Sequence, residues 1–100
     1  MKVLARCEWV SPIQQITTKR GETLNKCEAK FSFADTEYNY NNVIVTPLIG
    51  ERAEKFSASV RPGENVCLQF YMRTVRTASG RDFNDIVVAH IAKENNHELF

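Results

Sequence analysis

The residues best suited to chemistry in this chain are planar rings and cations. Tyr38 and Tyr40 sit in the polar, asparagine-rich stretch 35–42, where nothing apolar nearby would bury both rings. Tyr71 follows Phe70, so strand alternation turns it away from the face that Phe70 occupies. Phe83 lies two residues after Arg81, at the head of an apolar run. Lys19 and Arg20 precede Gly21 in one polar turn, and Arg73, Arg76 and Arg81 surround another. Exposed rings stack on flat π-systems and cations neutralise phosphates, so this set suits a single-stranded polymer of bases on an anionic backbone. Each residue also has a plain reading: a satisfied loop tyrosine at 38 or 40, an oligomer contact at Tyr71, ordinary solvation for any one charge. Trp9 shares its alternation with Val3, Ala5 and Cys7, which assigns it to the core or an interface rather than to stacking. Phe31, Phe33 and Phe56 read as core, and Lys30 and Lys55 as weaker cation candidates.

Catalytic and metal chemistry lack a constellation. His90 and His97 have no metal-type arrangement of Cys, Asp or Glu near them, and no CxxC, HExxH or glycine-rich phosphate loop occurs. Asp82 and Asp85 are three apart in a predicted strand, so they face opposite sides and cannot work as a carboxylate pair. The reading is of a protein that is not an enzyme and holds no metal or cofactor. Cys7, Cys27 and Cys67 are odd in number and widely spaced, which favours reduced thiols and a cytoplasmic location. No apolar run approaches the roughly 20 residues of a membrane span, and the first residues lack a signal-peptide pattern. With 100 residues and a net charge of +1, the chain fits one domain, and total charge names no partner. Any polyanion site must come from charges sorted in space.

Period-two patterning supplies the elements that would position these groups. Residues 2–10 read as a strand that Pro12 ends, with Leu4 and Val10 on its more polar face suggesting a bend across a barrel. Residues 13–16 form a connector or a strand extension, and residues 17–22 a turn. Residues 23–34 alternate Cys27, Ala29, Phe31 and Phe33 with polar neighbours, the second strand. A loop at 35–42 precedes a third strand at 43–46, reaching 49 if Pro47 lies on an edge. Residues 51–60 carry Ala53, Phe56 and Val60 on one helical stripe, with Glu51 and Glu54 at the positive end of the helix dipole. Two long runs about the turn 77–81 then form a hairpin, with Val66, Leu68, Phe70 and Met72 on one face. A mobile polar tail at 93–100 follows a domain at 1–92. Five strands with a helix between the third and fourth is the connectivity of the OB-fold, an all-β five-stranded Greek-key barrel. In that barrel the loops bearing Lys19 and Arg20, and Arg73, Arg76 and Arg81, would border one groove.

Several stretches taken in order resemble the single-stranded DNA-binding protein family, and its short relatives of the primosomal replication protein N type. They are Arg20-Gly21-Glu22, Glu51-Arg52-Ala53-Glu54-Lys55-Phe56, Val60 through Val66, Met72-Arg73-Thr74, Gly80-Arg81-Asp82-Phe83 and Ile86-Val87-Val88. The likeness runs from about Val3 to Ile91. Asn42-Val43 stands where many members carry tryptophan, and the family's long glycine-rich linker is absent, although Glu98-Leu99-Phe100 resembles an acidic tip ending in phenylalanine. The resemblance implies sequence-independent binding of single-stranded DNA in replication, recombination or repair. A homo-oligomer, dimer or tetramer, is expected because a small open barrel leaves strand edges that need cover. Two alternatives stay open. One is a protein-interaction or oligomerisation module of a replication, recombination or mobile-element complex, and the other is RNA binding.

Overall fold

The computed structural model describes residues 2–35, 40–93 and 100. The chain is mostly antiparallel β-structure with one helix: β1 (Lys2–Val10), β2 (Gln14–Thr17), β3 (Thr23–Asp35), β4 (Tyr40–Ile49), α1 (Glu51–Ser59), β5 (Asn65–Arg76) and β6 (Asp82–Lys93). Among the described residues no helix is long and apolar enough to cross a membrane.

β3 is the hub because it is long and alternates cleanly, so both its edges find partners. One edge pairs with β2 through Ile16↔Leu24 and, farther along, with β1 through Cys7↔Phe31. The other pairs with β4 from Lys26↔Ile49 to Asp35↔Tyr40. β1 carries β5 on its remaining side, through Leu4↔Cys67, and β5 carries β6. The order is therefore β4-β3-β1-β5-β6, with β2 continuing the line of β1 beyond Pro12. Among the described residues no ladder joins β4 to β6, so the sheet is open and the closed barrel expected from element order is not formed by these pairings.

The stretch 35–42, read as a loop from its asparagines, differs. Asp35 ends β3, and Tyr40, Asn41 and Asn42 begin β4 opposite Asp35, Ala34 and Phe33. Asparagine is a poor strand former, but pairing against a β3 already fixed by Phe31 and Phe33 overrides that local preference. Pro47 is tolerated for a geometric reason. Glu28, its partner, turns its backbone N–H and C=O toward Ser11, away from β4. Pro47 therefore sits at a non-hydrogen-bonded pair and presents its missing donor to the open edge.

Alternation selects the buried face: Ala5 and Cys7, then Cys27, Ala29 and Phe31, then Ile44 and Leu48, then Val66, Leu68 and Phe70, then Val88 and Ile91. α1 covers this face with Ala53 and Phe56, and the Phe56 ring meets Phe31 edge-on at 5.9 Å. The helix ends at Ser59, and Val60 is extended yet buried. Two contacts occupy the side of β6 away from β5. Ile91 exchanges backbone hydrogen bonds of 2.8 and 3.4 Å with Phe100, whose ring packs edge-on against Phe56 at 5.6 Å. The Arg52 guanidinium donates to the carbonyls of Val88 and Ala89. Phe100, read from the sequence as part of a mobile polar tail, is instead 9% exposed and completes the core. Residues 94–99 lie outside the described residues.

Candidate functional site

A β-bulge makes the surface that the alternation of β1 hides. The β1–β3 register runs Cys7↔Phe31 and then Trp9↔Lys30, leaving Glu8 as the extra residue. The slip inverts the facing of everything after it. Trp9 turns outward, 48% exposed, while Val10 turns in against the core. The expectation that Trp9 shares the face of Cys7 is thus corrected. The signal for it was present: Val10 falls on the polar side of an unbroken alternation, which an apolar residue leaves by slipping one place.

Beside Trp9 on the outer face stands Lys30, and beyond Lys30 stands Val45 of β4. Lys26 lies four residues back along β3 on the same face, flanked by Gln14 and Ile49. The strand then runs into the turn holding Lys19 and Arg20, closed by the Gly21 N–H donating to Thr18 at 2.9 Å with Gly21 at a φ of 82°. Lys19, Arg20, Lys26 and Lys30 form no ion pair among the described residues. Glu28, between the two lysines, and Glu22, at the turn, bring acidic groups onto this track. At its far end Arg6 lies 3.8 Å from Glu8, and the Ser32 hydroxyl donates to the same Glu8 carboxylate. There β1 parts from β3 to follow β5, leaving a cleft of about 470 Å³ whose lining includes Arg6, Glu8, Ser32 and Asn41 but also Leu4 and Phe33. The face thus offers one indole, a row of cations and a cleft of mixed polar and apolar lining.

The residues chosen from sequence are divided by the fold. From the level of Arg6, which pairs with both Ser32 and Asn65, the hairpin tip at 77–81 lies toward the Asp35 end of β3. The turn with Lys19 and Arg20 lies the other way along the ladder. The two basic loops, expected to border one groove, are therefore not brought together along the sheet. Arg73 and Arg76 are also engaged. Arg73 reaches Asp85 at 3.3 Å, and Arg76 grips both carboxylate oxygens of Asp82 at 2.8 and 3.4 Å. That bond to Asp82 holds the Arg76 guanidinium above its ordinary pKa. Asp82 and Asp85 do face opposite sides, each meeting a different arginine. Arg81 is exposed at the tip, and Tyr71 and Phe83 are exposed on one face of the hairpin. Tyr40 opens β4, and Tyr38 lies outside the described residues.

Burial raises the pKa of the Cys7 and Cys27 thiols, keeping them as small apolar groups. Cys67 is exposed, and all three cysteines are free. Among the described residues no three Cys, His, Asp or Glu side chains come together as metal ligands would. No protein-family model matches the chain, and no curated protein matches it.

Proposed function

We propose that this chain binds single-stranded DNA with little sequence preference, on the outer face of β1, β3 and β4. The observation that carries the reading is Trp9 standing open beside Lys30. An indole offers a π-face to any base, and the neighbouring ammonium lies where that base's phosphate would pass. Lys26, Lys19 and Arg20 extend the cation row in one direction from that pair. Lys19 and Arg20 keep the role assigned from sequence, while the engaged Arg73 and Arg76 leave it.

The strand order, with the helix between β4 and β5 and α1 tied to β6 through Arg52 and Phe100, supports a protein of OB-fold type. The likeness to single-stranded DNA-binding proteins, with a place in replication, recombination or repair, rests on the sequence stretches that carry it. The free cysteines support a reducing, cytoplasmic setting.

Trp9 is the single tryptophan, so its fluorescence reports stacking directly. Titration with oligo-dT should quench the indole, and salt should reverse the quench. With about four phosphates neutralised, log affinity against log salt should slope near −3. An indole indifferent to oligo-dT at low salt overturns the reading. Running RNA and duplex DNA beside it tests the polymer.

A second reading, a protein-docking module, has its own observation. Val43, Val45 and Ile49 are exposed along β4, an open edge strand. Replacing Val43 and Val45 by threonine would abolish partner binding under that reading, whereas replacing Lys26 and Lys30 by alanine would weaken oligo-dT binding under the first and spare the partner under the second.

A further inference from the structure

The ladder between β1 and β3 stops at Arg6↔Ser32. From Ala5 back to Lys2, β1 runs with β5 alone, while β3 continues with β4 to Asp35. The gap between the parting strands is the cleft of about 470 Å³. Its walls are apolar. Leu4 on one strand is 54% exposed, and Phe33 on the other packs its ring 6.1 Å from that of Phe70. Such walls suit a planar ring, which would take Leu4 out of water.

The mouth of the cleft is polar and only partly satisfied. Arg6 Nε lies 3.8 Å from Glu8 Oε1, too far for a hydrogen bond, so the guanidinium keeps its donors. The Ser32 hydroxyl donates to Glu8 Oε1 and fixes the carboxylate in place, while among the described residues Oε2 accepts no hydrogen bond. Glu8 is the extra residue of the bulge that turns Trp9 outward, so one slip exposes the carboxylate and the indole as neighbours in the chain.

We infer that this cleft takes one guanine of the bound strand, next to the base stacked on Trp9. A carboxylate only accepts hydrogen bonds, so it repels phosphate and calls for N–H groups. Guanine is the base whose Watson–Crick edge offers two adjacent donors, N1–H and the 2-amino group, with the O6 acceptor beside them. Glu8 takes the two donors, and Arg6 donates to O6 or N7. Adenine, cytosine and thymine each bring one donor to that edge and leave half of the carboxylate unmet. The spacing also fits. Lys30, opposite Trp9, and Ser32, opposite Arg6, are two residues apart, roughly 7 Å at about 3.3 Å each. An extended strand advances about that far per nucleotide, roughly twice the 3.4 Å of the stacked duplex. The inference rests on the nucleic-acid reading and adds one base-selective position to a surface otherwise indifferent to sequence.

The test compares a labelled dT oligonucleotide with the same strand carrying one central dG, by anisotropy at low salt. The dG strand should bind about 5- to 150-fold more tightly, the range of one good bidentate base contact. Inosine at that position lacks the 2-amino group and should give back most of the gain. Glu8→Gln keeps an oxygen for Ser32 but exchanges one acceptor for a donor. It should bind oligo-dT at least as tightly as the wild-type chain and lose the preference for dG. Oligo-dT binding with no preference for dG overturns the inference and leaves the nucleic-acid reading standing. So does a preference that survives Glu8→Gln, one that inosine shares in full, or a larger gain from dA or dC. An absence of oligo-dT binding overturns both.

Discussion

Trp9 lies directly opposite Lys30 across β1 and β3, one residue beyond the bulge at Glu8. The indole is turned outward while its neighbour Val10 is turned inward. Trp9→Ala should weaken oligo-dT binding about 5- to 150-fold, the loss of one base stack at roughly 1–3 kcal/mol. Anisotropy of a labelled oligonucleotide measures this without the tryptophan. Trp9→Phe should retain most of the affinity, and neither change should move the thermal midpoint much, because the ring is only half-buried.

Lys26 and Lys30 act through charge alone under this reading. Replacing both by alanine should flatten the salt dependence by about 1.4 in log–log slope, roughly 0.7 for each phosphate contact removed on a single strand. Arg73→Gln and Arg76→Gln together should leave that slope unchanged. Titrations at several salt concentrations separate the two sets. A slope that follows Arg73 and Arg76 instead would move the binding face to the hairpin.

Phe100 closes the core from outside the sheet, seated on Phe56 and bonded to Ile91. Phe100→Ala should cost about 3 kcal/mol, the lower end for a buried phenylalanine, since the site lies at the margin of the core. Urea unfolding should show the loss as a lower midpoint with oligo-dT affinity unchanged in the folded protein. Arg52→Ala should add to it by freeing the Val88 and Ala89 carbonyls and loosening α1 from β6.

The thiols give a pH signature. Burial is the main reason the Cys7 and Cys27 pKa values are raised; at Cys7 a backbone hydrogen bond with Trp9 opposes it and the charges of Glu64 and Glu8 add to it. The folded state then holds these protons more tightly than the unfolded chain. Stability should be level below the ordinary thiol pKa of about 8.5 and fall as pH rises above it. Thermal midpoints at pH about 7.5 and about 9.5 measure the fall, and a Cys7→Ala, Cys27→Ala variant should lose less of its midpoint over that interval. Exposed Cys67 should react with a thiol reagent in the native protein, while the other two wait for unfolding.

Much of the architecture is written in local pattern. The alternation of Cys27, Ala29, Phe31 and Phe33, the helical stripe of Ala53, Phe56 and Val60, and the run Val66, Leu68 and Phe70 name their elements and their buried faces. These are legible because side-chain direction repeats every 2 or every 3.6 residues, so one short window suffices. Lys19 and Arg20 in their turn, and Asp82 and Asp85 on opposite faces, follow from the same logic.

Only the tertiary structure decided where the candidate site lies. A bulge is one unpaired residue, and its existence depends on the partner strand rather than on the bulged one. Hence Trp9 could not be turned outward until β3 was laid beside β1. Pairing also decided which arginines are engaged, since Arg73 and Arg76 meet Asp85 and Asp82 only through the hairpin register. The separation of the two basic loops and the docking of Phe100 are likewise relations between distant stretches. The chain's own composition states which groups are available; the ladder of backbone hydrogen bonds states which of them meet.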